Sequence, residues 1–131
     1  MPGNDLRGTL PLVYQNKARI ADRFYLAMFR LAPETRAHFM GGFGKQKAVF
    51  ATMIVRIAQS ADDPDTLEQI ARDMATVHRR HAVSADEFRI AGLALAEALE
   101  ICLSDSLAPG QIARWTTVAG TLVQRMIELS D

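Results

Sequence analysis

Met74-Ala75-Thr76-Val77-His78-Arg79-Arg80-His81-Ala82-Val83-Ser84-Ala85-Asp86-Glu87-Phe88 joins the end of one apolar-periodic helical segment to the start of another and carries an imidazole at the join. Ile70 and Met74 precede His78 at helical spacing, which puts the three side chains on one face. An imidazole so placed can point into an apolar chamber and ligate a metal whose other ligands come from elsewhere. A histidine near a helix end also serves as a cap or a surface residue, because imidazolium suits the negative end of the helix dipole. Ser84-Ala85-Asp86-Glu87 has the form of a capping box, so a new helix is expected from there through Phe88, Leu93, Leu95, Leu99 and Ile101.

Upstream, Asp63-Pro64 marks the start of the His78 helix, with Asp63 as N-cap and Pro64 in the first turn. Before it, Lys45 to Ala58 reads as a helix with Val49, Met53, Ile54 and Ile57 on one side. The segment Gly41-Gly42-Phe43-Gly44 lacks phosphate-loop spacing and reads as a flexible corner. Nearer the N-terminus, Val13, Ile20, Phe24, Ala27, Met28 and Leu31 recur at helical intervals, and the stretch stops at Pro33, which disfavours helix in the residue before it. Pro33-Glu34-Thr35 restarts a short helical turn ending at Phe39 and Met40. Downstream, Pro109 restarts a last helix with Ile112, Trp115, Val118, Leu122 and Met126. No useful β-type alternation appears, so the expected class is all-α, without the regular punctuation of a symmetric four-helix bundle.

Bulk properties are those of an ordinary globular chain. The 131 residues suit one domain spanning 1–131. Fifteen Lys and Arg against fifteen Asp and Glu leave no basic field, which argues against nucleic acid or an anionic membrane as main partner. Cys102 is the single cysteine and has no internal disulfide partner. The N-terminal residues lack signal-peptide blocks and no apolar run approaches membrane-spanning length, so a cytoplasmic protein is expected.

The series Thr9-Leu10-Pro11-Leu12-Val13, Arg23-Phe24-Tyr25-Leu26-Ala27-Met28-Phe29 and Ala32-Pro33-Glu34-Thr35-Arg36-Ala37-His38-Phe39, then His78 with Val83 and Phe88, then Trp115, resembles the globin domain of bacterial flavohaemoglobins and single-domain bacterial haemoglobins. The resemblance covers nearly the whole chain in order, and it stops short of a flavin and nicotinamide reductase region. It implies a globin fold packed around haem b, whose iron His78 would hold as proximal ligand. Tyr25, on the second helix of the family pattern, would turn its hydroxyl over the distal face and donate to the partial negative charge on bound dioxygen. Phe39 would pack on the porphyrin at the corner, and Val49 would sit over the iron from the distal helix, with Met53, Met74, Val83 and Phe88 completing the apolar contacts. Lys45 would fall where the family has a Gln or His gating the ligand.

Each role has a plainer counterpart. Tyr25 beside Phe24 also suits a core aromatic with its hydroxyl at the rim. Phe39, Val49, Met53, Met74 and Phe88 are equally ordinary core residues, and Lys45 suits a solvated helix start whose long stem reaches outward, towards a haem propionate in the globin reading. His81 and His38 are expected at the surface. The corner before Lys45 is shorter than in typical flavohaemoglobins, which leaves Gln46 as a rival to Lys45. Phe88 stands where the family has a Tyr near the proximal His, and Ser130 where it has a matching Glu, with Glu128 half a turn away. Lacking those partners, the proximal imidazole is expected to bond a backbone carbonyl.

Three functions follow from the resemblance. The first is reversible binding of dioxygen or another diatomic gas. The second is nitric oxide dioxygenation to nitrate, which would need a separate reductase. The third is a gas-sensing or haem-free regulatory globin, for which exposed apolar surface would speak. Either a monomer or a homodimer is compatible with the sequence.

Overall fold

The computed structural model describes residues 6–39, 43–80 and 83–130, with the side chains of Arg7 and Phe39 outside that description. His81 and the Met40–Gly42 part of the corner therefore lie outside the described residues. The described residues form five α-helices: α1 Leu10–Leu31, α2 Phe43–Gln59, α3 Pro64–Arg79, α4 Ala85–Leu103 and α5 Pro109–Ser130. Short 3-10 segments, Leu6–Thr9 and Pro33–Phe39, flank α1, and no strand occurs among the described residues.

Local chemistry sets most of the boundaries. Between Leu12 and Leu31 there is no Gly or Pro, so α1 runs unbroken for 22 residues. Tyr25, expected on a second helix, therefore lies on this first one. The helix ends where Pro33 forbids continuation: the Ala32 N–H still reaches the Met28 carbonyl at 2.8 Å, and the chain then turns. α2 begins at Phe43, two residues earlier than the sequence pattern suggests. Asp63 caps α3 by accepting from the Thr66 N–H at 3.2 Å.

At the head of α4, Ser84 Oγ accepts from the Glu87 N–H at 3.1 Å while Glu87 accepts from the Ser84 N–H at 3.0 Å, a complete capping box. Replacing Ser84 by Ala is expected to cost about 1 kcal/mol of folding stability in denaturant titration, since one orphan donor loses its acceptor. An unchanged midpoint would show that water caps α4 equally well.

Packing is dominated by α1 against α4 and α2, α4 against α5, and α3 against α5. Trp115 on α5 is 1% exposed and donates its indole N–H to Thr9 Oγ1 at 3.1 Å, tying the beginning of the described chain to its last helix. Gly92 lets α4 approach α5 closely, because a Cβ there would stand 3.3 Å from Val123 Cγ2. Glu68 on α3 holds Arg125 on α5 in a two-pronged ion pair, with Nε and Nη2 each 2.9 Å from a carboxylate oxygen.

Four residues of the apolar pattern fall outside the core: Leu31, Val49, Leu93 and Ile101 are exposed. Leu93 and Ile101 lie on the outer side of α4, while its inner side, with Phe88, Leu95 and Leu99, faces the core.

Candidate functional site

α2 and α3 make no more than marginal contact with each other among the described residues, and Arg56 reaches Asp73 across the gap at 3.7 Å. One wall of this gap belongs to α1 and α2, the other to α3 and the start of α4. A second link, His38 Nε2 to Glu87 Oε2 at 2.8 Å, ties the segment after α1 to the first turn of α4. His38, expected at the surface, is thus engaged by the capping-box glutamate.

On the first wall, Tyr25 is 3% exposed and sits among aromatic rings. Phe24 and Phe43 meet it edge-on, with centroids at 4.8 and 5.0 Å, and Phe50 lies at 5.6 Å and Phe29 at 5.9 Å. Phe50 in turn stacks on Phe24 at 4.1 Å, which anchors α2 to α1. The Gln46 side chain hydrogen-bonds the Tyr25 hydroxyl. Phe43, Gln46 and Phe50 follow at i, i+3 and i+7, so all three share the side of α2 that meets α1. Lys45 is one residue off that line and exposed; of the two rivals, Gln46 is the one that meets Tyr25.

Burial pushes the Tyr25 hydroxyl up to about 12, with the Gln46 hydrogen bond pulling the other way. Tyr25 consequently keeps its proton at every physiological pH and acts as a donor. The unfolded residue ionises from about 10 whereas the folded one holds its proton to about 12, so stability falls as pH rises through that window. The tyrosinate absorbance lost in Tyr25→Phe is expected to titrate near the upper figure. A midpoint at the lower one would mean that the hydroxyl is solvated.

Val49, Met53 and Arg56 stand at i, i+4 and i+7, and Arg56 reaches α3; Val49 and Met53 therefore lie on the edge of α2 turned towards the gap. Val49 is 50% exposed and Met53 half-buried against the core.

On the second wall, Val77 is 50% exposed and stands one turn beyond Asp73, with Met74 beside it, half-buried. His78 is half-buried and its Nδ1 lies 2.6 Å from the Met74 carbonyl. A carbonyl only accepts, so Nδ1 carries the proton, and in the neutral ring the lone pair is at Nε2. This is the backbone carbonyl bond expected from the sequence. Phe88, 3% exposed, packs on the imidazole with centroids 5.3 Å apart, and Val83 is half-buried against the same core. Glu128 is turned to Arg125 at 3.3 Å, and Ser130 donates to the Met126 carbonyl at 2.7 Å.

Of the residues singled out from sequence, Tyr25, Gln46, Val49 and Met53 belong to the first wall and Met74, His78, Val83 and Phe88 to the second, while the Phe39 side chain lies outside the description. Sequence reasoning passed over Phe29, Phe43 and Phe50, which surround Tyr25, and Val77, beside His78. Their signal was the repeat of aromatics at i, i+4 and i, i+7 on α1 and α2. Shallow grooves of about 430 and 340 Å³ run along α5 and between α3 and α5. The second touches α3 through Pro64, Leu67, Glu68 and Ala71, on the side away from Val77.

No helix among the described residues is long and apolar enough to cross a membrane, and no cluster of three or more His, Cys, Asp or Glu there could hold a metal ion by itself. A metal at His78 would need its remaining ligands from a bound group.

The chain is 25% identical over 120 residues to a flavohemoprotein of Rhizobium meliloti (strain 1021), covering 89% of this chain and 30% of that protein. It is 26% identical over 125 residues to a flavohemoprotein of Bordetella pertussis, covering 93% and 31%. It therefore spans about a third of the length of these curated relatives. Among solved structures, a bacterial globin from Campylobacter jejuni superposes with a TM-score of 0.80 at 20% identity, covering 95% of this chain and 91% of that one. An engineered carbene transferase from Rhodothermus marinus, whose parent carries a nitric oxide dioxygenase designation, superposes with a TM-score of 0.81 at 22% identity, covering 95% and 87%. These likenesses show the fold. With the helical order, the gap between α2 and α3, and a match to the family described as Globin over residues 22–126, the chain belongs to the globin family.

Proposed function

We propose that this chain holds haem b in the gap between α2 and α3 and binds dioxygen or another diatomic gas reversibly. The observation that carries the reading is the bond from His78 Nδ1 to the Met74 carbonyl, which leaves the Nε2 lone pair as the ring's ligating position. The walls fit a flat apolar group: Val49 and Val77, both 50% exposed, stand on the two edges that turn towards the gap, and burying them would stabilise the holoprotein. When bound, haem supplies an iron with one coordination position open to a gas.

The other residues then have distinct tasks. Phe88 fixes the plane of the His78 ring, with Met74 and Val83 packing around it. Val49 and Met53 cover the opposite side and exclude water. Tyr25 Oη, held protonated by burial and oriented by Gln46, donates a hydrogen bond to the ligand. Lys45, exposed at the start of α2, is suited to a haem propionate.

Reconstitution with haemin, read by ferric and ferrous absorption spectra, tests the proposal. A sharp Soret band and a reversible spectral change with carbon monoxide are expected. A spectrum equal to that of free haemin would overturn it and leave a haem-free globin module.

Nitric oxide dioxygenation to nitrate is a second reading, favoured by the flavohemoprotein relatives and by Tyr25. It requires an electron donor, a task that a reductase would fill. Nitrate formation under a generic reductant in excess of that with free haemin would establish it.

A further inference from the structure

With Val49 and Val77 assigned to the gap, the large apolar side chains left exposed on α1 and α4 are Tyr14 at 57%, Leu26 at 60% and Leu31 at 45% on α1, and Leu93 at 63% and Ile101 at 42% on α4. Of these, Leu26, Leu93 and Ile101 fall on one surface. Arg30 on α1 pairs with Glu97 on α4, and Arg23 and Arg19, two and three turns earlier on α1, both bear on the Cys102 thiol. Residue 30 is thus level with 97 and the earlier part of α1 with the later part of α4, so the helices run antiparallel, and one turn from the Arg30–Glu97 pair Leu26 lies level with Ile101. Arg23, Leu26 and Arg30 fall at i, i+3 and i+7 on α1, and Leu93, Glu97 and Ile101 at i, i+4 and i+8 on α4, so each set makes a continuous outer stripe.

The charges on this surface are sorted by helix. α1 contributes arginines, including Arg19 one turn before Arg23, while α4 contributes Glu97 and Glu100 beside Ile101; Arg89, two turns before Glu97, is turned to Asp86 at 2.9 Å. Asp22, the acid nearest to the α1 stripe, is turned to Lys47 on α2 at 2.9 Å. A surface with a basic half, an acidic half and leucine and isoleucine between them is complementary to itself under a two-fold rotation about the α1–α4 seam. That operation lays α1 of one copy on α4 of the other, Arg30 opposite Glu97 and Leu26 against Ile101. Laying α1 on α1 would oppose like charges.

We propose that the α1–α4 face is the interface of a two-fold homodimer of this chain. The dimer covers apolar surface that would otherwise stay in water, and the charge sorting selects its register.

Sedimentation of the full chain over a concentration series tests this. The mass is expected to rise from 14.5 kDa towards twice that value. Leu26→Glu and Ile101→Glu are each expected to raise the dissociation constant roughly tenfold or more. Their side chains are exposed in the monomer, so circular dichroism and melting of the diluted proteins should be unchanged. Arg30→Glu should weaken the dimer and Arg30→Glu with Glu97→Arg should restore it, because the exchange rebuilds the opposed pair. A wild-type mass that stays monomeric at the highest concentration overturns the proposal. So does a dimer whose dissociation constant is indifferent to both Leu26→Glu and Ile101→Glu.

Discussion

His78→Ala is expected to abolish stable haem retention: after reconstitution and gel filtration the Soret band should be lost from the protein fraction, and exogenous imidazole should restore it. Among the described residues, the His78 imidazole is the nitrogen ligand that the second wall presents beside Met74 and Val77, and no cluster there could replace it. Alanine also removes the packing of the ring on Phe88, 5.3 Å away, so the apo-protein loses a little stability as well. Imidazole rescue separates the two effects, since it refills the coordination position without repairing the fold. Retention of an unchanged Soret band in His78→Ala would refute the assignment and return His78 to the role of a helix-end residue.

Tyr25→Phe is expected to accelerate dioxygen dissociation by about 5- to 150-fold, corresponding to about 1 to 3 kcal/mol for a hydrogen bond to a charged acceptor. The substitution preserves the ring that Phe24, Phe43 and Phe50 contact and deletes only the hydroxyl, so packing is a built-in control. Association should change far less than dissociation, because the donor acts on the bound ligand. Gln46→Ala should give a smaller acceleration, since it frees the hydroxyl to rotate without removing it, while Lys45→Ala should leave dissociation close to wild type. Unaltered dissociation in Tyr25→Phe would reduce Tyr25 to a core aromatic.

Much of the site was legible because its parts are local. Asp63 and Ser84 cap the helices that flank His78 through bonds spanning three residues, and such bonds are readable as short sequence patterns. The His78 bond to Met74 also spans a single turn, four residues. The aromatic shell of Tyr25 was less legible. Phe43 and Phe50 meet it across a chain separation that includes the whole corner, and the four-residue signal on α1 alone does not say which helix completes it. Phe43 was read as part of a flexible corner, because three neighbouring glycines mask its place as the first residue of α2.

Sequence by itself determined the all-helical class, the order of the helices, most of their ends, and the candidacy of Tyr25 and His78. The class, order and ends follow from apolar periodicity, proline and caps, each complete within a turn or two of chain, while the candidacy of Tyr25 and His78 follows from the family resemblance of the segments that carry them. Tertiary structure decided which side of each helix meets which neighbour. It chose Gln46 over Lys45 for the Tyr25 hydroxyl, turned Val49 and Met53 to the edge that faces α3, and left Leu26, Leu93 and Ile101 on an outer face. One residue along a helix is a rotation of about 100°, so these choices depend on how α1, α2 and α4 settle against each other. Contacts between residues distant in the chain, such as Phe24 on Phe50 and Arg30 on Glu97, set that rotation, and no local pattern specifies it.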